Sequence, residues 1–101
     1  MLILKGYRIV ATRYRSKLGE IDIIATRGRK LAFIEVKARA SHRAASEAIT
    51  PHQRERLSRG AADFLARHPR YNRYSLRFDA MLVTPWRWPQ HISGAWEDPS
   101  G

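Results

Sequence analysis

The chain has 101 residues, with 19 lysines and arginines against 9 aspartates and glutamates and a formal net charge of +10. That length bounds it to one small domain, expected over residues 1–97 with a frayed tail at 98–101. The absence of cysteine excludes disulfides, thiolate zinc sites and thiol catalysis, and the first apolar stretch, Met1 to Leu4, is too short for a signal-peptide core or membrane span; a cytoplasmic protein is expected.

Tyr7 to Tyr14 is rich in β-branched and aromatic residues and predicts a first strand. A turn follows at Ser16-Lys17-Leu18-Gly19. Glu20 to Thr26 and Leu31 to Ala38 are two short apolar runs separated by Arg27-Gly28-Arg29-Lys30. A two-residue loop with Gly first is the type II′ hairpin pattern. Residues 39–49 read as a loop that could hold a short helical turn. A helix then starts with Thr50 as N-cap, Pro51 at the first helical position and Gln53 closing a capping box. Leu57, Ala61, Phe64 and Leu65 recur at helical spacing, and His68-Pro69 ends the element. After a loop at 69–74, Ser75 to Thr84 predicts another strand, and residues 86–96 leave room for one short edge strand. A helix between the third and fourth strands implies a right-handed crossover that sets those strands parallel in a mixed sheet.

Fifteen of the 19 basic residues are arginine, whose planar fork suits phosphate. A polyanion, nucleic acid first, is the partner this charge favours. Arg13, Arg15 and Lys17, together with Arg39 and Arg43, flank the most chemically loaded part of the chain and are candidate phosphate guides.

That part is the hairpin. With Gly28 and Arg29 as its loop, Asp22 lies opposite Glu35 and Glu20 opposite Lys37, with Cβ atoms ~5 Å apart across the strands. One face would then carry three carboxylates and one ammonium, unless a bulge shifts the register. Facing carboxylates within apolar strands raise each other's pKa unless a cation compensates. Lys37 compensates in part; a divalent metal with its waters does so better. The plainer alternative is a solvent-facing patch of cross-strand ion pairs, Glu20 with Lys37 and Asp22 with a nearby Arg.

The spacing of Asp22, twelve residues, then Glu35-Val36-Lys37 resembles the signature of the PD-(D/E)XK nuclease superfamily. The longer run GYRIVATRYRSKLGEIDIIATRGRKLAFIEVKARAS, with Glu47-Ala48-Ile49, Leu57, Arg77-Phe78-Asp79-Ala80 and His91-Ile92-Ser93-Gly94-Ala95-Trp96, resembles the YraN-like family of small bacterial proteins akin to Holliday-junction resolvases. The resemblance implies an α/β restriction-endonuclease-like domain with a mixed central sheet. It implies an endonuclease that hydrolyses DNA phosphodiesters, branched DNA included, with Mg²⁺ or Mn²⁺. In that scheme Asp22 and Glu35 hold the metal, Glu20 supports them, and Lys37 positions water and offsets charge. Gln53 stands where the family has a Lys, as a phosphate or water contact, or simply as part of the capping box. A homodimer is implied by analogy with resolvases. The family begins with a further helix bearing an acidic residue, whereas Gly6-Tyr7 here follows only five residues. That helix is expected to be missing, which would expose one sheet face. A non-catalytic nucleic-acid-binding protein on the same scaffold is the rival expectation.

The four histidines, His42, His52, His68 and His91, show no metal-ligand spacing and are expected at the surface. Asp79 is open between catalysis and a fold-supporting hydrogen bond. Trp86 and Trp88 around Arg87 could stack on bases or close a core edge. Arg54, Arg56 and Arg59 are expected on the solvated helix face.

Overall fold

The computed structural model of the chain describes residues 6–38, 49–85 and 87–96. Strands β1 (Arg8–Arg15), β2 (Glu20–Arg27) and β3 (Lys30–Ala38) form an antiparallel meander. Helix α1 (Pro51–Arg67) and a 3₁₀ turn (Pro69–Tyr71) lead into β4 (Ser75–Val83), and β5 (Gln90–Trp96) follows. The sheet order is the chain order, with β3 and β4 parallel and β5 antiparallel to β4. This mixed sheet with its crossover helix is consistent with a restriction-endonuclease-like fold. The terminal edge strand is a full element of seven residues. Trp96 at its end stacks on Phe78, ring centroids 5.8 Å apart, and so draws β5 into the core. The helical turn considered within 39–49 falls almost wholly outside the described residues, as do Trp86 and the tail from Glu97.

Local chemistry sets the meander and the helix. Gly28 takes φ +60° and Arg29 does not enter positive φ, as a type II′ turn requires. The β2–β3 ladder runs from Arg27↔Lys30 at the turn to Ile23↔Ile34. At α1, the Thr50 hydroxyl accepts from the Gln53 backbone N–H at 3.2 Å, and the Gln53 side-chain oxygen accepts from the Thr50 N–H at 2.9 Å. This reciprocal pair satisfies donors that the first turn leaves without helical partners.

The helix covers one face of the sheet, where Ile21, Ile24, Leu31, Phe33, Leu57, Ala61, Phe64, Phe78 and Leu82 are buried together. A smaller cluster, Tyr7, Ala25, Ala32, Ile34 and Met81 with Ile23 and Val36 beside it, occupies the opposite face. Ile21 and Ile24 therefore point to the helix while Ile23 points away. Strict alternation would put Ile21 and Ile23 on one side, so it breaks at Asp22. The helix also presses directly on the entry to β2. A Cβ on Gly19 would lie 2.0 Å from the Arg56 carbonyl oxygen and 2.8 Å from the Gly60 nitrogen, so no side chain fits there. Among the described residues, no helix is long and apolar enough to cross a membrane.

Candidate active site at the fork of β2 and β3

Beyond Ile23↔Ile34 the two strands part. Asp22 and Glu35 come next, and in place of a backbone acceptor the Asp22 carboxylate takes the Val36 N–H at 2.9 Å. Glu35 hydrogen-bonds Asp22 through its side chain, and its pKa is pushed up to about 8. Burial is the largest cause, followed by the hydrogen bond and the negative charge of Asp22; Glu20 adds to the rise and Lys37 opposes it. At neutral pH Glu35 is thus largely protonated and donates its O–H to Asp22.

An open cleft of about 620 Å³ adjoins Asp22, lined by Thr12, Arg13, Asp22, Ile23 and Val36. Arg13 stands in it with φ +52°, the one non-glycine residue in the left-handed region among those described. Its neighbours Thr12 and Tyr14 pair with Ile23 and Ile21, so the distorted residue of β1 is level with Asp22. A long side chain held in that region is strained by about 1 to 3 kcal/mol, a cost found most often at binding and catalytic positions.

The other expected site residues distribute around the fork. Glu20 does not pair with Lys37, because the ladder that would set them opposite ends before reaching them. Instead it forms ion pairs with Arg56 of α1 at 3.0 Å and with Arg15 at 3.7 Å. Arg56 is therefore more than solvated helix surface. Lys37 is half-buried on β3, near enough for its charge to act on Glu35. Lys17 is exposed in the β1–β2 turn. Gln53 has its side-chain oxygen committed to the helix cap. Arg39 and Arg43 lie outside the described residues, as does His42. The alternative of an ion pair between Asp22 and an arginine is not what forms; the partners of Asp22 are Val36 and Glu35.

The donor chemistry fits a hard divalent cation. Mg²⁺ accepts one or two carboxylates and keeps several waters, and a cation held by Asp22 and Glu35 would displace the Glu35 proton. Among the described residues no cluster of three or more histidine or acidic side chains suited to a metal forms, so this pair would be the protein's contribution.

A second polar cluster, on the sheet face away from the helix, was not anticipated. Asp79 is fully buried. It accepts from Arg77 Nε and Nη2, each at 2.8 Å, from the Gly94 N–H at 2.9 Å, and bonds His91 Nε2 at 2.8 Å. Burial alone would raise its pKa, but the bonds from Arg77, Gly94 and His91 together hold it below the ordinary carboxylate range. Arg77 also donates to the Tyr7 hydroxyl, and the Tyr7 ring meets His91 edge-on. His91 is thus buried, contrary to the surface position expected for it, because an otherwise uncompensated Asp79 needs partners from β5. The signal was present in the sequence: one carboxylate in the apolar run Phe78 to Val83 demands cations nearby. Asp79 ties β4 to β5 and does not face the fork.

Comparison with known proteins places the chain. A model of a protein family described as "Uncharacterised protein family UPF0102" matches residues 1–83. The chain belongs to this family. It is 51% identical over 96 residues to a UPF0102 protein of Parvibaculum lavamentivorans, covering 95% of this chain and 72% of that protein. It is 54% identical over 95 residues to one of Mesorhizobium japonicum, covering 93% and 75%. A third UPF0102 protein, from Methylorubrum extorquens, is 52% identical over 97 residues, 96% of this chain and 76% of the relative. The family's own description names no activity, so the fork must be read by its chemistry.

Proposed function

We propose that the protein is a metal-dependent endonuclease that hydrolyses phosphodiester bonds of DNA. The observation that carries this reading is the hydrogen-bonded pair Asp22 and Glu35 at the opening of the β2–β3 fork, with Lys37 beside it. Two carboxylates forced together, with Asp22 lining an open cleft, are costly for stability alone and suited to a divalent cation. Bound there, Mg²⁺ or Mn²⁺ would supply Lewis-acid neutralisation of phosphate charge and make water easier to deprotonate. The chain's own groups do the rest. Asp22 and Glu35 hold the cation, Lys37 orients the attacking water and offsets charge growing on the phosphate, and Arg13 meets the substrate backbone from across the cleft.

Titration calorimetry with Mn²⁺ tests the site. Binding should release the Glu35 proton, so the apparent enthalpy should change with the ionisation enthalpy of the buffer near neutral pH. Asp22→Ala should lose the binding. Absence of Mn²⁺ and Mg²⁺ binding, with DNA present as well, would refute the nuclease reading.

A second reading, a nucleic-acid-binding protein without catalysis, draws on the fact that, among the described residues, no third acidic or histidine side chain joins the pair as a metal-holding group. Lys37→Ala separates the two. For a nuclease, cleavage of linear or branched DNA should fall by at least about 100-fold, in line with the loss of a group that stabilises transition-state charge, while affinity stays nearly constant. For a binding protein there is no cleavage to lose, and affinity drops only by the worth of one phosphate contact.

A further inference from the structure

The face of the sheet turned away from α1 carries a second cleft, at the other end of β2 and β3 from the fork. It has a volume of about 700 Å³ and is lined by Arg27, Gly28, Arg29, Lys30, Ser75 and Arg77. Four of these six residues are cations and none is acidic. Arg77 is committed to Asp79, and Arg27 lies over the Tyr7 ring at 5.7 Å. No described carboxylate pairs with Arg27, Arg29 or Lys30, and all three are exposed. The cleft is firmly built. Ser75 N–H donates to the Arg29 carbonyl at 2.8 Å, which fastens the hairpin turn to the start of β4.

Its place relative to the fork is fixed by strand geometry. Arg27 and Lys30 stand two residues from Ala25 and Ala32, so they share the face that also holds Ile23 and Val36 of the fork cleft. Five residues separate Asp22 from Arg27 on β2, and five separate Lys30 from Glu35 on β3. At roughly 3.3 Å per residue the two clefts are about 16 Å apart. Successive phosphates of one duplex strand advance roughly 3.4 Å along the axis, so this span corresponds to about five nucleotides.

We propose that the cleft at the β2–β3 turn binds backbone phosphate of a nucleic acid whose scissile phosphate lies at the fork. The ligand chemistry is phosphate, and its source is the polynucleotide backbone. The proposal rests on the nuclease reading for what happens at the fork, but not for binding at the turn. Cations without acidic neighbours, aligned on the same face as the fork cleft that Asp22 lines, give the duplex a register with no contact to its bases.

The test is the salt dependence of binding to a labelled DNA duplex, followed by fluorescence anisotropy in EDTA so that cleavage plays no part. Arg29→Ala/Lys30→Ala should lower the slope of log affinity against log salt by about 1.8, the value for two lost phosphate contacts. Arg59→Ala/Arg67→Ala removes the same charge from α1, where both arginines pair with Glu55 and Asp63, and should leave the slope unchanged. Thermal melts of both variants confirm folding. An equal loss of slope in the two variants would overturn the proposal, since net charge alone would then explain it. An unchanged slope in the turn variant overturns it while leaving the nuclease reading standing. Failure of the unaltered chain to bind DNA at low salt overturns both. Inorganic phosphate titrated without DNA separates the sources: saturable binding lost in the turn variant, with no change in the DNA slope, would assign the cleft to the free ion.

Discussion

Glu35 is the residue at which stability and chemistry oppose each other. Its ordinary pKa of 4.5 rises to about 8 in the fold, chiefly by burial. A raised carboxyl contributes fully to stability below its ordinary pKa, and that contribution is lost as pH climbs through about 8. Glu35→Gln keeps the neutral shape and cannot ionise, so the variant should match the parent's melting temperature near pH 4 and exceed it increasingly toward pH 8. For a half-exposed group, solvent screening leaves a gain of about 1 to 2 kcal/mol, or roughly 5 to 10 °C in a domain of this size. Equal melting temperatures across that range would show that Glu35 ionises freely. Arg13 makes a parallel case through the backbone. Arg13→Gly removes the left-handed strain and should raise stability by about 1 kcal/mol, while weakening DNA binding through loss of the guanidinium. Parallel losses in both would mean that the side chain supports the fold and not the substrate.

At the scale of elements, the contact between α1 and the entry to β2 aligns the fork. Gly19 leaves no room for a side chain beneath Arg56, and that closeness lets Arg56 reach Glu20. Gly19→Ala should cost about 3 kcal/mol by overpacking, seen as a lower melting temperature and a broken Glu20–Arg56 pair; a loss below about 0.5 kcal/mol would show that the helix shifts freely. These elements were legible in the sequence to different depths. Thr50, Pro51 and Gln53 announced the start of α1 because a capping box is a local device. Gly28 announced the turn, and counting outward from it set Ile23 against Ile34 correctly. The count also brought Asp22 to Glu35 but failed at Glu20 and Lys37, because it knows nothing of a side chain replacing a backbone acceptor, as Asp22 does for Val36 where the ladder ends. The charge of Arg13 marks it as a phosphate guide, but its left-handed backbone has no sequence signature. The bonds of Tyr7, Arg77, Asp79 and His91 join residues distant in the chain, and no periodicity reports such pairings.

Over the whole molecule, charge is sorted by position. The acidic residues of the sheet gather at the fork or are sealed against Arg77 and His91, while the turn end of β2 and β3 is left cationic. The result is a hairpin with a gradient along its length, carboxylates at the fork end and exposed cations at the turn end, with Asp22 lining the face that the cations share, on a chain of net charge +10. Such a field attracts a polyanion to the whole face and holds it most firmly away from the carboxylates. A divalent cation at the fork would then extend attraction along the full length of the face.

The parallel pairing of β3 with β4 has a kinetic consequence. All nine partners, from Lys30↔Ser75 to Ala38↔Val83, lie 45 residues apart in the chain, whereas Asp22, Glu35 and Lys37 all belong to the meander that precedes α1. The chemical groups therefore sit in the part of the chain that can assemble locally. Closure of the long loop carrying α1 is the slow event in folding. Until it occurs, Glu35 lacks the burial that is the largest cause of its raised pKa, so the full return of that pKa would time the completion of the sheet.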